Sequence, residues 1–454
     1  MRTRRLVAVV LAVALASFVD PAMAHASGLG SQDAGDAPFW FVMVTGGGVV
    51  GGSFLFATLL TDHEAIRMVN AWRLRVPVDG RLRRAVVALA GLASVAALAG
   101  ILYVAFAGPA NGQSNAAVLV VWAGWWAGYT ISVYLLADTW PLVDPWRRIA
   151  GLLPRFDRRY PERFGSWPAV AGLLGLVWLE VVSPVSENPR LLGVVVAGYT
   201  VVTLAGAVVF GPDAWFGHVD PIAHAFRFFG RIAPVQRTDD GLAVGLPAST
   251  LAHPSEPARD ETAFIVALLW ATTYDGLVST GPWALAAEFL VGVGVPPLLL
   301  YLGLLVTGYA LFRFVYRVAS ARARESAESL VSPGYVARWF APALLPIAAG
   351  YHVAHFLGYF LQLSEQLLRT VSAPLTTTTI SLVSLPGWFS SLQLVFVVAG
   401  HLFAIWVAHA LSFELFPGRL QPIRSQYPFT FVMIFYTMTS MWIIAQPYTP
   451  PPYV

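Results

Sequence analysis

Ten apolar stretches, each long enough to cross a lipid bilayer, follow one another along this chain: residues 38–60, 85–107, 116–137, 166–183, 191–211, 262–280, 295–317, 340–361, 388–411 and 428–446. A helix needs about 20 apolar residues to span the hydrocarbon core, and in lipid its backbone must satisfy its own hydrogen bonds. The pattern predicts an all-α fold, a polytopic transmembrane helix bundle with the lipid bilayer as its solvent. Composition agrees, with 57% of the 454 residues hydrophobic and 12% charged, well outside the range of a soluble globular domain.

The basic residues orient the bundle. All 28 are arginine. Six lie in loop 61–84, six in 138–165, four in 212–261, five in 313–338 and two in 412–427. Beyond the first 24 residues, this leaves only Arg190 and Arg369 on the other side. The positive-inside rule makes the crowded face cytoplasmic. The cytoplasmic loops are then 61–84, 138–165, 212–261, 318–339 and 412–427, with both ends of the mature chain outside. A net charge of +3 so distributed carries no nucleic-acid footprint.

Residues 1–24 read as a cleaved signal peptide: Arg2, Arg4 and Arg5 precede the apolar run from Leu6 to Phe18, and Ala22-Met23-Ala24 is a small-x-small cleavage site. Residues 25–454 form a single polytopic domain of the cell membrane. Pro234, Pro247, Pro254 and Pro257 argue against a separate soluble domain in loop 212–261, and no internal repeat is visible at helix-pair or half-protein scale. The apolar stretch 283–294 is too short to span and reads as an interfacial or re-entrant helix.

With no cysteine in the chain, chemistry falls to His, Asp, Glu, Ser, Thr and Tyr. Intramembrane ionisable residues are costly and mark interior sites. His352 and His355 share a helix, three residues apart, and His401 lies on the next, antiparallel helix; each sits roughly 20 Å from a membrane face at 1.5 Å per residue. Three imidazoles at one depth suit a divalent metal, zinc or copper, and one histidine from each helix suits haem b. Hydrogen bonding between helices is the competing role for each. His409 lies nearer the cytoplasmic boundary, where a hydrogen-bonding role is expected. Among the acids, Asp275 in Thr272-Thr273-Tyr274-Asp275-Gly276 is placed to act as a metal ligand, a partner for histidine or a general base. Glu180 reads as interfacial. His25, the first residue after the predicted cleavage, offers an amine and an imidazole that together suit copper. His63, His218, His224 and His253, with Asp138, Asp144 and Asp220, read as loop residues, and Gly46-Gly47-Gly48 with Gly51-Gly52 as helix packing. No phosphate-binding glycine loop, Gly-x-Ser-x-Gly or His-Glu-x-x-His occurs.

Several stretches resemble a family of bacterial and archaeal integral membrane proteins labelled fenitrothion hydrolase. They are Trp140-Pro141 to Asp144-Pro145-Trp146-Arg147, Tyr160 to Trp178, Tyr274-Asp275-Gly276 to Gly281-Pro282, Val353-Ala354-His355, Gly400-His401, Ala408-His409 and Arg424-Ser425-Gln426-Tyr427, together with a histidine directly after the signal peptide. The resemblance covers nearly the whole mature chain and implies hydrolysis of an organophosphate triester. It places His355, His401 and His409 on the family's histidine positions, whereas His352 departs from the pattern. A site built from His355, His401 and an acid such as Asp275 fits it better than three histidines.

Three function classes follow. As a metal-assisted hydrolase, the chain would take a small apolar ester, with His355 and His401 holding the ion and Asp275 handling the water proton. As a copper or haem protein, the same histidines would be ligands and His25 would receive copper outside. As a transporter, they would relay protons or ions.

Overall fold

The computed structural model describes residues 39–156, 158–239, 241–253 and 260–454. The predicted signal peptide and His25 lie outside them. The described chain is 74% helical. Its long apolar helices are α1 (Phe39–Ala57), α2 (Gly80–Ala107), α3 (Ala116–Leu135), α4 (Trp167–Val182), α5 (Pro189–Phe210), α6 (Glu261–Val278), α7 (Pro297–Ser326), α8 (Leu345–Ser372), α9 (Phe389–Leu415) and α10 (Leu420–Ile444). Among the described residues, eight are long and apolar enough to cross a membrane, and the protein is a multi-pass membrane protein. The other two are α4, with 16 residues, and α6, which is bent by 80° from the helix Gly281–Gly292 that follows it. That bend is where the sequence predicts an interfacial or re-entrant segment.

Local signals start these helices where they start. Asp79 caps α2 by accepting from the amides of Arg81 and Leu82; Asn188 caps α5, with Pro189 at its first position. A side-chain acceptor at such a start satisfies amides that have no partner within the helix, and proline there gives up none. Within α3, residues Val120–Tyr129 wind as a π-helix, a wider coil that is rare and frequently found at functional sites.

The arginine-rich loops touch one another, which fixes them on one side. Strand β1 (Arg73–Pro77) in loop 61–84 pairs antiparallel with β3 (Gly241–Gly245), which also pairs with β2 (Val235–Thr238), both in loop 212–261. Arg67 bonds Glu414 at 2.6 Å, Arg147 meets Asp213 at 3.2 Å, and Arg424 meets Glu328 at 3.4 Å. These contacts connect all five loops. Among the described residues, this three-stranded sheet is the one departure from helices and their connecting loops. It forms because alternating segments such as Arg73-Leu74-Arg75-Val76 pair across about 170 residues, a relation that proline counting in one loop does not register. On the opposite side, Gln366 donates to Gln113 O at 2.8 Å and Ser114 to Thr378 O at 3.1 Å, so the threonine run packs against the mouth of the bundle.

The centre of the bundle is α6, α8 and α9. A spanning window of α8 and its lead-in is 61% buried and that of α9 56%, against 11% for α2, whose Leu89 and Leu92 are exposed and face lipid. The glycines of α1 pack as expected, in part: Gly46, Gly47 and Gly51 lie against Met441, Met438 and Ile434 of α10, while Gly48 and Gly52 face open space.

The segments after α3 and α5 share a pattern, Asp138-Thr-Trp140 to Val143-Asp144-Pro145 and Asp213-Ala-Trp215 to Val219-Asp220-Pro221. Each second aspartate caps a short helix, Pro145–Ala150 or Pro221–Gly230, with proline at its first position.

Candidate functional site

Near the arginine-poor end of the bundle, α8 and α6 bring two of the expected residues together. His355 Nε2 lies 3.2 Å from Asp275 Oδ2, and the two side chains keep 27% and 21% of their surface exposed. They form the only partly open acid–histidine pair among the described residues. Asp275 lies in the last turn of α6, and Gly276 beside it leaves the space that the Tyr351 hydroxyl fills. The Tyr351 ring stacks on His355, centroids 6.2 Å apart and planes 16° from parallel. Glu180, half-buried at the end of α4, is an electrostatic neighbour of Asp275, and Tyr448 from the tail after α10 neighbours both acids.

His352 goes elsewhere. Its Nδ1 is 3.0 Å from the Tyr134 hydroxyl, and its ring is enclosed by Trp126 of the π-helical stretch, Phe229 and Phe356, with centroids at 5.3, 5.8 and 4.7 Å. His401 goes to a third place. Its Nδ1 is 2.8 Å from Val397 O, and its ring lies 5.8 Å from that of Tyr436 on α10. Both residues are fully buried, and neither Nε2 has a hydrogen-bond partner among the described residues. The three histidines thus have three different polar partners, Tyr134, Asp275 and Val397 O, while the His352 and His355 rings both pack on Phe356 with centroids 4.7 Å away. Among the described residues, no three His, Asp or Glu side chains are grouped to hold a metal ion. His409 is hydrogen-bonded at the arginine-rich end, to Leu60 O at 2.8 Å and to Gln426 at 3.2 Å.

A second cluster of ionisable groups lies outside the spans, in the arginine-rich loops. Asp144 accepts from the Arg147 amide at 3.0 Å. Asp220 accepts from the Ala223 amide at 2.7 Å and from the Tyr199 hydroxyl at 2.6 Å. Both are almost fully buried. Burial pushes the Asp144 carboxyl up to about 7, the Arg147 amide pulls it back, and nearby Asp220 adds to the rise. Asp220 is raised by burial as well. Burial lowers His224 to about 3, so this imidazole is neutral. Removing a charged form from water always disfavours it. These groups order the loops, as their positions beside proline suggest.

The residues that sequence reasoning missed are tyrosines: Tyr351, Tyr436 and Tyr134 surround the three histidines. Tyr351 was visible in the run Tyr351-His352-x-x-His355; nothing local marked the other two.

No protein-family model, no curated protein and no solved structure matches this chain.

Proposed function

We propose that the chain is a multi-pass hydrolase of the cell membrane that cleaves small apolar, organophosphate-like esters, with Asp275 and His355 as its acid–base pair. The observation that carries this reading is their 3.2 Å separation in a partly open position on the arginine-poor side, which the arginine distribution makes the outside. An imidazole backed by a carboxylate is an effective proton acceptor near neutral pH. Water attacks phosphorus, the phosphorus–aryloxide bond breaks, and the water proton passes to His355 and then to the departing aryloxide. Asp275 stabilises the imidazolium formed between the two transfers. The apolar body of the ester is drawn from the bilayer, beside Phe356 and Leu357.

A divalent ion could take the place of the proton between the pair. His355 Nε2 and Asp275 Oδ2 would be the groups that hold it, one short of the three protein ligands of an ordinary catalytic zinc site. Bound there, the ion would polarise the phosphoryl oxygen and acidify water. His401 and His352, with polar partners of their own, play no part in that set.

The test is release of aryloxide from a dialkyl aryl phosphotriester by detergent-purified protein. We expect turnover in the wild type and a loss of about 10²- to 10⁴-fold in His355→Ala and Asp275→Asn, the usual worth of a general acid–base group. A wild type no faster than buffer overturns the reading.

A further inference from the structure

We propose that a cavity of about 500 Å³ on the arginine-poor face, between the end of α2 and the start of α5, binds the headgroup of an aminophospholipid, with Arg190 on the phosphate and Glu187 on the primary amine. The inference does not depend on ester hydrolysis. The cavity has the size of a small-ligand site. Ala105, Pro109, Pro184 and Pro189 give it apolar walls, and Glu187 and Arg190 are its ionisable lining groups.

Local hydrogen bonds hold these walls in place. Asn115 Nδ2 donates to Pro109 O at 2.8 Å and to Val104 O at 3.2 Å. The amides of Glu187 and Asn188 donate to Pro184 O at 3.1 and 2.8 Å, and Asn188 Oδ1 accepts from the Leu191 amide at 3.1 Å where α5 starts. Gly112 lies so close to the Glu187 carbonyl that no side chain fits between them. Below the cavity α2 and α5 touch, since a methyl group on Gly193 would meet the Phe106 ring at 2.9 Å and Ala105 Cβ at 3.0 Å. A site shaped in advance loses less to ordering when a ligand arrives.

The charges set the ligand. Arginine is scarce on this face, and the other one, Arg369, is paired with Glu365 at 2.5 Å. Arg190 and Glu187 are both exposed, and neither forms an ion pair among the described residues, with the other or with a third group. A guanidinium takes phosphate through a planar fork, and a carboxylate accepts from the three N–H donors of a primary ammonium. A ligand that satisfies both carries a phosphate and an amine a few bonds apart. An arginine at a membrane interface meets any lipid phosphate. Glu187 narrows the choice, because a quaternary ammonium offers it no hydrogen bond and a glycerol headgroup offers it no positive charge.

The surface below the opening favours a lipid over a soluble zwitterion. Arg190, Val194, Gly198 and Val201 fall on successive turns of α5, and all four are exposed. Phe106 of α2, against Gly193, is exposed as well. Below the arginine this stripe is apolar and runs inward along the bundle, so acyl chains can follow it while the headgroup sits in the cavity.

Native mass spectrometry of detergent-purified protein with equal amounts of phosphatidylethanolamine, phosphatidylcholine and phosphatidylglycerol tests this. We expect phosphatidylethanolamine to be retained about ten-fold better than either of the others, the worth of one charge-assisted hydrogen bond. Glu187→Ala should abolish that preference and keep binding, whereas Arg190→Gln should weaken retention of all the lipids. Both side chains are exposed, so the variants should keep the fold, and matched melting temperatures verify it. Equal retention of the lipids by the wild type overturns the proposal, as does a preference that survives both substitutions. Displacement of the lipid by an equal concentration of soluble phosphoethanolamine overturns it too, because the acyl chains would then contribute nothing.

Discussion

Gly350 and Gly400 lie back to back where α8 crosses α9, so close that a methyl group on Gly350 would meet the Gly400 Cα at 2.8 Å and one on Gly400 would meet the Gly350 Cα at 3.0 Å. Close backbone approach of this kind uses small residues in membrane helices. The crossing sets the heights of Tyr351 and His401, each next to one of the two glycines, and of His352 one residue further on. Gly400→Ala should therefore destabilise the protein by about 1–3 kcal/mol, the usual cost of overpacking. Gly48→Ala, where nothing lies within 4 Å, should be neutral or slightly stabilising. Thermal unfolding of both variants in detergent checks this.

The acid–base pair predicts a particular pattern of non-additivity. When Asp275 acts only by supporting His355, the double variant Asp275→Asn, His355→Ala loses no more activity than His355→Ala alone. Groups that act as one unit behave in this way. Losses that multiply across the two sites would show that each residue works separately on the substrate, and steady-state rates for the four proteins distinguish the outcomes.

Asp144 predicts a pH-dependent difference in stability. Its carboxyl sits at about 7 against an ordinary value of 3.8, so the folded state holds the proton more tightly than the unfolded one. The resulting stabilisation is complete below about pH 4 and is lost as pH rises to about 7. His224, lowered to about 3, acts in the opposite sense, gaining stability as pH rises towards 6.5. The comparison must therefore be made against Asp144→Asn, which keeps the helix cap. The variant should match the wild type near pH 4 and exceed it by about 2–4 kcal/mol at pH 8, at roughly 1.4 kcal/mol per pH unit. Melting curves across that range are the measurement.

The spans were legible because each apolar stretch carries its own signal, and the arginine bias was legible because it sums over whole loops. The pairing of His355 with an acid was legible in part, since Asp275 was the acid placed among hydroxyls at the right end of its helix. The divergence of His352 was not. A three-residue step turns a helix by about 60° short of a full circle, which local reasoning treats as one face. At a crowded crossing that angle is enough to send His352 to Trp126 and Tyr134 of α3 while His355 meets Asp275 of α6. Which helix lies on which side of α8 is a non-local fact. Tyr436 beside His401 was hidden for the same reason.

The enclosure of His352 gives the last expectation. Its Nδ1 has the Tyr134 hydroxyl at 3.0 Å in a site without solvent exposure, so Tyr134→Phe leaves a buried ring nitrogen unpaired and should cost about 1–3 kcal/mol. Removing both groups removes the mismatch: in Tyr134→Phe, His352→Phe stability should recover part of that loss. Because the polar partner of His352 is Tyr134 of α3 and not Asp275, hydrolytic turnover per folded molecule should stay within about two-fold of wild type in the double variant, well under the factor of ten that 1.4 kcal/mol represents. A double variant that folds yet loses turnover would put His352 back in the reacting site, as the three-histidine spacing first suggests.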